Sequence, residues 1–342
     1  MKGRTIVLDH WHGREAAALL VDGRLDDLLI DDPEAPRPGS IYRAVCDRGM
    51  KGQGGMILRL PGGETAWLRH ATGLKAGERL LVQVTGAAEG GKAIPVTDRI
   101  LFKSRYAIVT PGAPGLNVSR QIRSEEERAR LLALAERVMK GPHGLILRSA
   151  CEGAAEDDIA EDIAAMRDLA AKVMADRGSE PEFLADGDGP HRLAWREWSA
   201  PTVVTAPGGF DREGVTEQIE ALRRPDVDLG EAGLVVEATQ ALVAVDVNTR
   251  GDSSPAAALK ANLAAARALP RQLRLRGLGG QIVVDFVSMS KAHRRQIEQS
   301  LKDSFRNDPV ETSLFGWTAM GLFELSRKRE RVPLARLLEA GS

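Results

Sequence analysis

The chain has 342 residues, 43% hydrophobic and 28% charged, with 47 Lys and Arg against 48 Asp and Glu. This is a folded, soluble composition, long enough for more than one domain, and no apolar run approaches the roughly 20 residues of a membrane span. Cys46 and Cys151 are the only cysteines, too few for a disulfide framework or a four-ligand zinc site.

The N-terminus, "MKGRTIVLDHWHGREAAALL", lacks a signal-peptide pattern, so the expected location is the cytoplasm. The near-neutral balance hides a polarity. Residues 150–188 carry 12 acids against 3 bases, and residues 267–306 carry 9 bases against 3 acids. The basic region suits a polyanion, although a solvated helical face carries charge in the same way.

The first 35 residues read as short strands: "RTIVLD", "EAAALLVDG" and "RLDDLLID", with Asp22–Gly23 as a hairpin turn. "DDPEAPRPGS" is a Pro-rich break and a domain boundary. Between 40 and 100, five β-like pieces separated by Gly-rich turns suit a small closed barrel of the OB type. Such barrels bind single-stranded nucleic acid through aromatic platforms and a basic groove, roles open to Trp67 and Lys92. Trp67 suits the barrel core equally well. "GMKGQGG", from Gly49, lacks the spacing of a phosphate loop and is expected to be a hairpin turn.

From 105 to 188, "SRYAIVTPG" and "HGLILRSACEG" read as strands. "SEEERARLLALAERVMK" reads as a helix with Ser124 as N-cap and Glu127 completing a capping box. A second helix follows, with Ile159, Ile163, Met166 and Leu169 on one face. "RGSEPEFLADGDGP" is expected to be a linker, and residues 189–228 a modest α/β piece that packs with the N-terminal strands. In "ALVAVDVN" the two-residue period puts Asp246 and Asn248 on one face near the strand's end. A helix capped by Ser253 or Ser254 follows, with Pro270 expected to kink or break it. "QIVVDFV" then reads as an apolar strand covered on both faces and carrying Asp285.

Strand, helix, strand predicts parallel neighbours, which brings Asp246 and Asp285 together where α/β sheets hold ligands. Two converging carboxylates with Asn248 suit a hard divalent cation such as Mg²⁺. The plainer reading has each Asp capping a following turn. "SRKRERVPLAR", from Ser326, reads as a basic stretch that touches the phosphates of a polyanion or lies on a solvated helix face.

Three runs resemble the catalytic region of the ribonuclease E/G family: "VDVNT", "ANLAAARALPRQLRLRGLGGQIVVDFVSM" and "GLFELSRKR". "GSIYRAVC", "ERLLVQVT" and "GGKA" are similar to its barrel, and "NVSRQI" and "GLILRSA" to its 5′-sensor region. The resemblance implies an α/β multidomain fold: a discontinuous RNase H-like part at 1–36 and 189–228, an OB-type RNA-binding barrel at 37–103, a 5′-sensor region at 104–188, and a DNase I-like catalytic part at 229–342.

It also implies a Mg²⁺-dependent endoribonuclease that cuts single-stranded RNA to 5′-phosphate and 3′-hydroxyl products, in RNA processing or decay. Asp246 and Asp285 match the two metal-binding aspartates, and Asn248 the asparagine set toward the scissile phosphate. Arg148 and Ser149 match a pair that grips a 5′-monophosphate. Trp67, Lys92 and Arg120 match RNA-contacting positions.

The family's C-terminal Cys-x-x-Cys has no counterpart, so no zinc-linked dimer is expected, while another oligomer stays open. Ile57 stands where the family has a second barrel aromatic, and Gln240 where a Glu is common. These departures leave a second expectation: an RNA-binding protein of the same fold with weak or no cleavage. A third, a metal-dependent phosphatase on an unrelated α/β fold, requires neither the barrel nor the basic region.

Overall fold

The computed structural model describes residues 3–50, 54–88 and 91–339. The turn expected after Gly49 falls on 51–53, outside the described residues. The chain begins with β1 (Arg4–Trp11), β2 (Arg14–Val21) and β3 (Arg24–Ile30), an antiparallel meander. Asp22 and Gly23 both take positive φ, 50° and 75°, as a two-residue hairpin turn with right-handed strand twist requires. Gly39, in the Pro-rich break, follows the boundary between two compact units at Asp32/Pro33.

The unit from Pro33 to Trp198 contains β4 (Ile41–Met50), β5 (Gly55–Arg59), β6 (Thr65–Leu68), β7 (Arg79–Val84) and β8 (Ile94–Thr97). Among the described residues these strands run β4-β5-β6-β8-β7 and close by pairing β7 with β4. β6 and β8 pair in parallel and the others antiparallel. A five-stranded closed sheet of this order is an OB-like barrel. Its core is filled by alternating residues, among them Ala44, Cys46, Met56, Leu58, Ala66, Leu68, Val82 and Val96.

The unit continues with β9 (Phe102–Lys103), β10 (Ala107–Thr110), β11 (Leu116–Val118), α1 (Glu125–Val138), β12 (Gly144–Leu147) and α2 (Glu156–Met174). The strands form a sheet ordered β11-β12-β10-β9. Ser124 caps α1 by accepting from the Glu127 N–H. Ile159 and Ile163 of α2 are fully buried, with Met166 and Leu169 at the margin of the same core. The expected linker is instead a strand, β13 (Glu182–Ala185), paired antiparallel with β4. Arg43 explains why: its buried guanidinium is held by Asp176, Glu182 and the Glu180 carbonyl, which draws the segment onto the barrel edge. α3 (Pro190–Glu197) ends this unit.

The other unit joins Met1–Asp32 to Ser199–Ser342. β14 (Thr202–Val204) adds in parallel to β1, and α4 (Gly209–Arg212) and α5 (Val215–Ala221) pack Phe210, Val215 and Ile219 against β1–β3. Then come β15 (Asp226–Asp228), β16 (Gly233–Ala238), β17 (Val243–Asn248), α6 (Pro255–Leu275), β18 (Gly280–Asp285), α7 (Lys291–Arg306), β19 (Thr312–Trp317), β20 (Phe323–Arg327) and α8 (Leu334–Glu339). Among the described residues the sheet runs β15-β16-β17-β18-β20-β19, and β17–β18 is its parallel pair. α6 and α7 cover one face, where Val243, Val245, Val247, Ile282 and Val284 meet Ala265, Leu269, Ile297 and Leu301.

Two expectations fail in this sheet. β18 is covered on one face only: Ile282 and Val284 are buried, while Gln281 and Asp285 are exposed. Both helices lie on the same side, so the other face stays open. Pro270 does not break α6, which runs through it. Pro270 is buried between Leu269 and Leu273 on the packed face, and that burial outweighs the missing N–H.

α6 ends in a Schellman motif: the Leu278 N–H donates to the Leu273 carbonyl (2.9 Å), and the Gly277 N–H to that of Arg274 (3.1 Å). Gly280 takes φ 91°, the left-handed region that favours glycine, and at Gly279 a Cβ would stand 2.7 Å from the Lys328 carbonyl oxygen, leaving no room for a side chain.

A buried ionic network crosses this unit. Arg327 donates to Asp308 Oδ1 (2.7 Å) and Thr312 (2.9 Å), and Arg274 pairs with the other Asp308 oxygen and donates to the Asp26 carbonyl (2.8 Å). Arg331 forks onto Asp27, which is 3% exposed. Burial pushes the Asp27 carboxyl up, but Arg331 and Arg274 beside it hold it below its ordinary range. The stretch from Ser326 is therefore no solvated helix face: Arg327 ends a strand and is buried on Asp308, and Arg331 is tied to Asp27. We expect Asp308→Asn, which strands two buried guanidinium groups, to lower stability by about 3–5 kcal/mol, read from the midpoint of denaturant unfolding.

Candidate active site

Parallel pairing of β17 with β18 sets Asp246 directly opposite Asp285. Both are exposed on the open face, while their neighbours Val245, Val247 and Val284 anchor the strands in the core beneath. Adjacent strands lie about 4.8 Å apart, so the two carboxylates reach a common point above the sheet. Asn248, next on that face of β17, donates through Nδ2 to Asp246 Oδ2 (2.7 Å). The amide thus fixes the Asp246 rotamer and is oriented beside it.

Asn262 is a supporting residue that the motif pattern does not single out. Fully buried on α6, it donates to the Val287 carbonyl (2.8 Å) and accepts from the Val287 N–H (3.0 Å). The bidentate clamp locks the backbone two residues beyond Asp285. A polar residue among the alanines of "ANLAAARA" is the signal that sequence offers for it, because a buried amide in an apolar stripe must find a partner.

Two carboxylates are hard oxygen donors suited to a divalent cation that keeps several waters. Among the described residues no group of three or more His, Cys, Asp and Glu could hold a metal ion. A cation at this pair would therefore complete its shell with water and phosphate oxygens. The basic region of 267–306 is only partly available to a ligand. Arg274 and Arg276 are buried, and burial, with Arg271 nearby, pushes Arg276 down to about 10. Lys291, Arg295, Lys302 and Arg306 of α7 are exposed, and Arg294 stacks over Trp317 at 4.6 Å.

On the other unit, Trp67 is not in the barrel core. It is half-buried on the outer surface, where it pairs across strands with Ile57 and lies over Gly55; a Cβ there would meet the indole at 2.0 Å. Lys92 is exposed in the loop that leads into β8, whose Pro95 neighbours Trp67. Parallel pairing of β11 with β12 brings Arg120 and Arg148 to the same end of their sheet. Arg120 is exposed. Arg148 donates to the carbonyls of Ser104 (2.6 Å) and Arg196 (3.3 Å) and pairs with Glu197. Burial raises the Glu197 carboxyl, but Arg148 and Arg196 outweigh it and the net shift is downward. Ser149 is exposed at the start of a 3₁₀ turn.

Glu127 braces that turn by accepting from the Gly153 N–H (3.1 Å) and from Arg130. Its hydrogen bonds to Arg130 and then Gly153 bring its carboxyl down to about 2.

A family model described as the ribonuclease E/G family matches residues 102–205 and 202–330. The chain belongs to that family. It is 31% identical to Ribonuclease G of Salmonella typhimurium (strain SL1344) over 306 residues, 78% of this chain and 62% of that protein. Ribonuclease G of Escherichia coli (strain K12) matches at 30% with the same coverage. Ribonuclease E of Nostoc sp. (strain PCC 7120) is 27% identical over an alignment of 387 residues that covers 96% of this chain and 56% of that protein. The chain thus spans less than two thirds of the length of these relatives. No helix among the described residues is long and apolar enough to cross a membrane.

Asn262→Ala removes the partner of the half-buried Val287 N–H and carbonyl and should lower stability by about 1–3 kcal/mol, measured by urea unfolding. For Glu127 the expectation concerns pH. A depressed carboxyl contributes stability in full above its unfolded value of 4.5 and loses it as pH falls toward its folded value of about 2. A carboxyl NMR titration should accordingly place the Glu127 midpoint near 2; a midpoint near 4.5 would mean that the Arg130–Gly153 contact does not form in solution.

Proposed function

We propose that the protein is a Mg²⁺-dependent endoribonuclease that cuts single-stranded RNA and leaves 5′-phosphate and 3′-hydroxyl ends. One observation carries the reading: Asp246 and Asp285 stand in register on adjacent parallel strands, with Asn248 bonded to the first, inside the segment that matches the ribonuclease E/G model. In the proposed architecture β1–β3 and β14 are the RNase H-like part, the barrel is the RNA-binding module, residues 104–188 are the 5′ sensor, and the six-stranded sheet with α6 and α7 is the DNase I-like part.

Asp246 and Asp285 would hold the cation, which when bound supplies positive charge to the scissile phosphate and acidifies water for in-line attack. The chain's own groups do the positioning. Asp246 and Asp285 fix where the phosphate oxygens meet the sheet. Asn248, whose amide has a second N–H, donates to a phosphate oxygen as charge builds on it. The Asn262 clamp keeps the Asp285 end of β18 from drifting.

Trp67, with Lys92 nearby in the fold, supports base stacking and backbone neutralisation on the barrel; Ile57 beside it offers apolar contact in place of a second ring. Arg148 and Ser149 form the proposed 5′-phosphate site, and Arg120, at the same end of their sheet, is a proposed RNA contact. Glu197 sits on Arg148 there, so a phosphate must share or displace it.

The test is incubation of the protein with 5′-monophosphorylated and 5′-hydroxyl single-stranded RNA, in Mg²⁺ and in EDTA. Cleavage is expected in Mg²⁺ alone, and Asp246→Asn and Asp285→Asn should each reduce it by at least about a hundredfold. Arg148→Ala should remove any preference for the monophosphorylated end. Binding without cleavage at every metal concentration would instead support an RNA-binding protein that does not cut.

A further inference from the structure

Trp195 is 61% exposed on α3, although indole is among the side chains with most to gain from burial. Trp198, three residues on, shows the alternative, for it is 8% exposed. The exposed ring is not loose. The Arg105 guanidinium stacks on it at 4.3 Å. Arg105 is itself held by the carbonyls of Trp195 and Trp198 at the C-terminal end of α3, where a cation is favoured. One face of the indole is thus backed by a fixed cation, and the exposure of the residue leaves the other to solvent.

The surroundings select what binds there. Arg192 lies three residues before Trp195, on the adjoining part of the helix surface. Arg148 reaches the same helix end through the Arg196 carbonyl (3.3 Å). Four arginines, at 105, 148, 192 and 196, stand against Asp188 and Glu197. A protein partner docking on tryptophan needs apolar surface around it. Here the partner of the ring is the Arg105 guanidinium, and exposed Arg192 lies one turn away on the same helix, a composition that suits a polyanion carrying flat rings.

We propose that Trp195, backed by Arg105, is a stacking platform for a nucleobase of single-stranded RNA. It would be a second base-binding point in this unit, separate from Trp67 on the barrel. The platform rests on the reading of this protein as an RNA binder and not on the reading that it cleaves.

The experiment measures Kd for a short 5′-hydroxyl single-stranded oligoribonucleotide by fluorescence anisotropy, with the full chain in EDTA. Trp195→Ala should raise Kd by about tenfold, and Trp195→Phe, which keeps an aromatic face, by no more than about threefold. RNA should quench wild-type tryptophan emission more than that of Trp195→Phe, a signature that a merely structural role would not give. Circular dichroism of both variants controls for folding.

A Trp195→Ala protein that folds and binds RNA as the wild type does overturns the platform, and would leave that face to a protein partner. Absence of RNA binding by the wild type overturns it as well. Metal-dependent cleavage, measured separately on unmodified protein, separates the two readings. Cleavage with unaltered Trp195→Ala affinity removes only the platform. Weakened Trp195→Ala binding without cleavage removes only the enzyme.

Discussion

The parallel pairing of β17 and β18 is the constraint on which the candidate active site depends. It places two carboxylates side by side, and like charges directly opposite each other weaken a strand pair. A sheet accepts that strain only when the strands are anchored elsewhere. The anchor is the opposite face, where valines and Ile282 interdigitate with α6 and α7. Because the side-chain period is two, the residues that bury the strands guarantee that Asp246, Asn248 and Asp285 point away from the core. A slip of one residue would bury the acids and expose the valines, so the core itself enforces the site's register.

Beyond the strands, the site is stiffened from beneath. Asn262 reaches from α6 to the backbone beyond Asp285, and Arg274 on the same helix ties its far end to Asp26, Asp27 and Asp308. The long match "ANLAAARALPRQLRLRGLGG" therefore holds few groups that can touch a substrate. Its asparagine is a backbone clamp, Arg274 is an internal cation, and Gly277 and Gly279 permit a helix stop and a close crossing. In this chain that segment is scaffold beneath the exposed Asp246, Asn248 and Asp285.

The alternation around Asp246 and the strand–helix–strand order place the acid pair from sequence alone, because period and connection handedness are local rules. The barrel is legible for the same reason, in short strands separated by glycines. What escapes is set by distant partners. Glu182–Ala185 reads as linker because its reason to be a strand is Arg43, more than 130 residues away. Pro270 reads as a breaker because propensity carries no information about the core around it. Arg327 and Arg331 read as solvent-facing cations because the carboxylates that receive them, Asp308 and Asp27, lie elsewhere in the chain.

The same argument bears on Arg148. A guanidinium near the surface of a family that handles RNA invites a phosphate, yet here three acceptors already surround it: two carbonyls and the Glu197 carboxylate. The carbonyls orient the group without neutralising it. Glu197 does neutralise it, and Glu197 is shared with Arg196, so moving the carboxylate aside need not strand it among apolar groups. An arginine held by carbonyls and covered by a carboxylate with a second cation in reach is a site whose occupancy is exchangeable. In the proposed 5′-phosphate site a phosphate would compete with that carboxylate for Arg148, because it carries more negative charge and offers more acceptor oxygens.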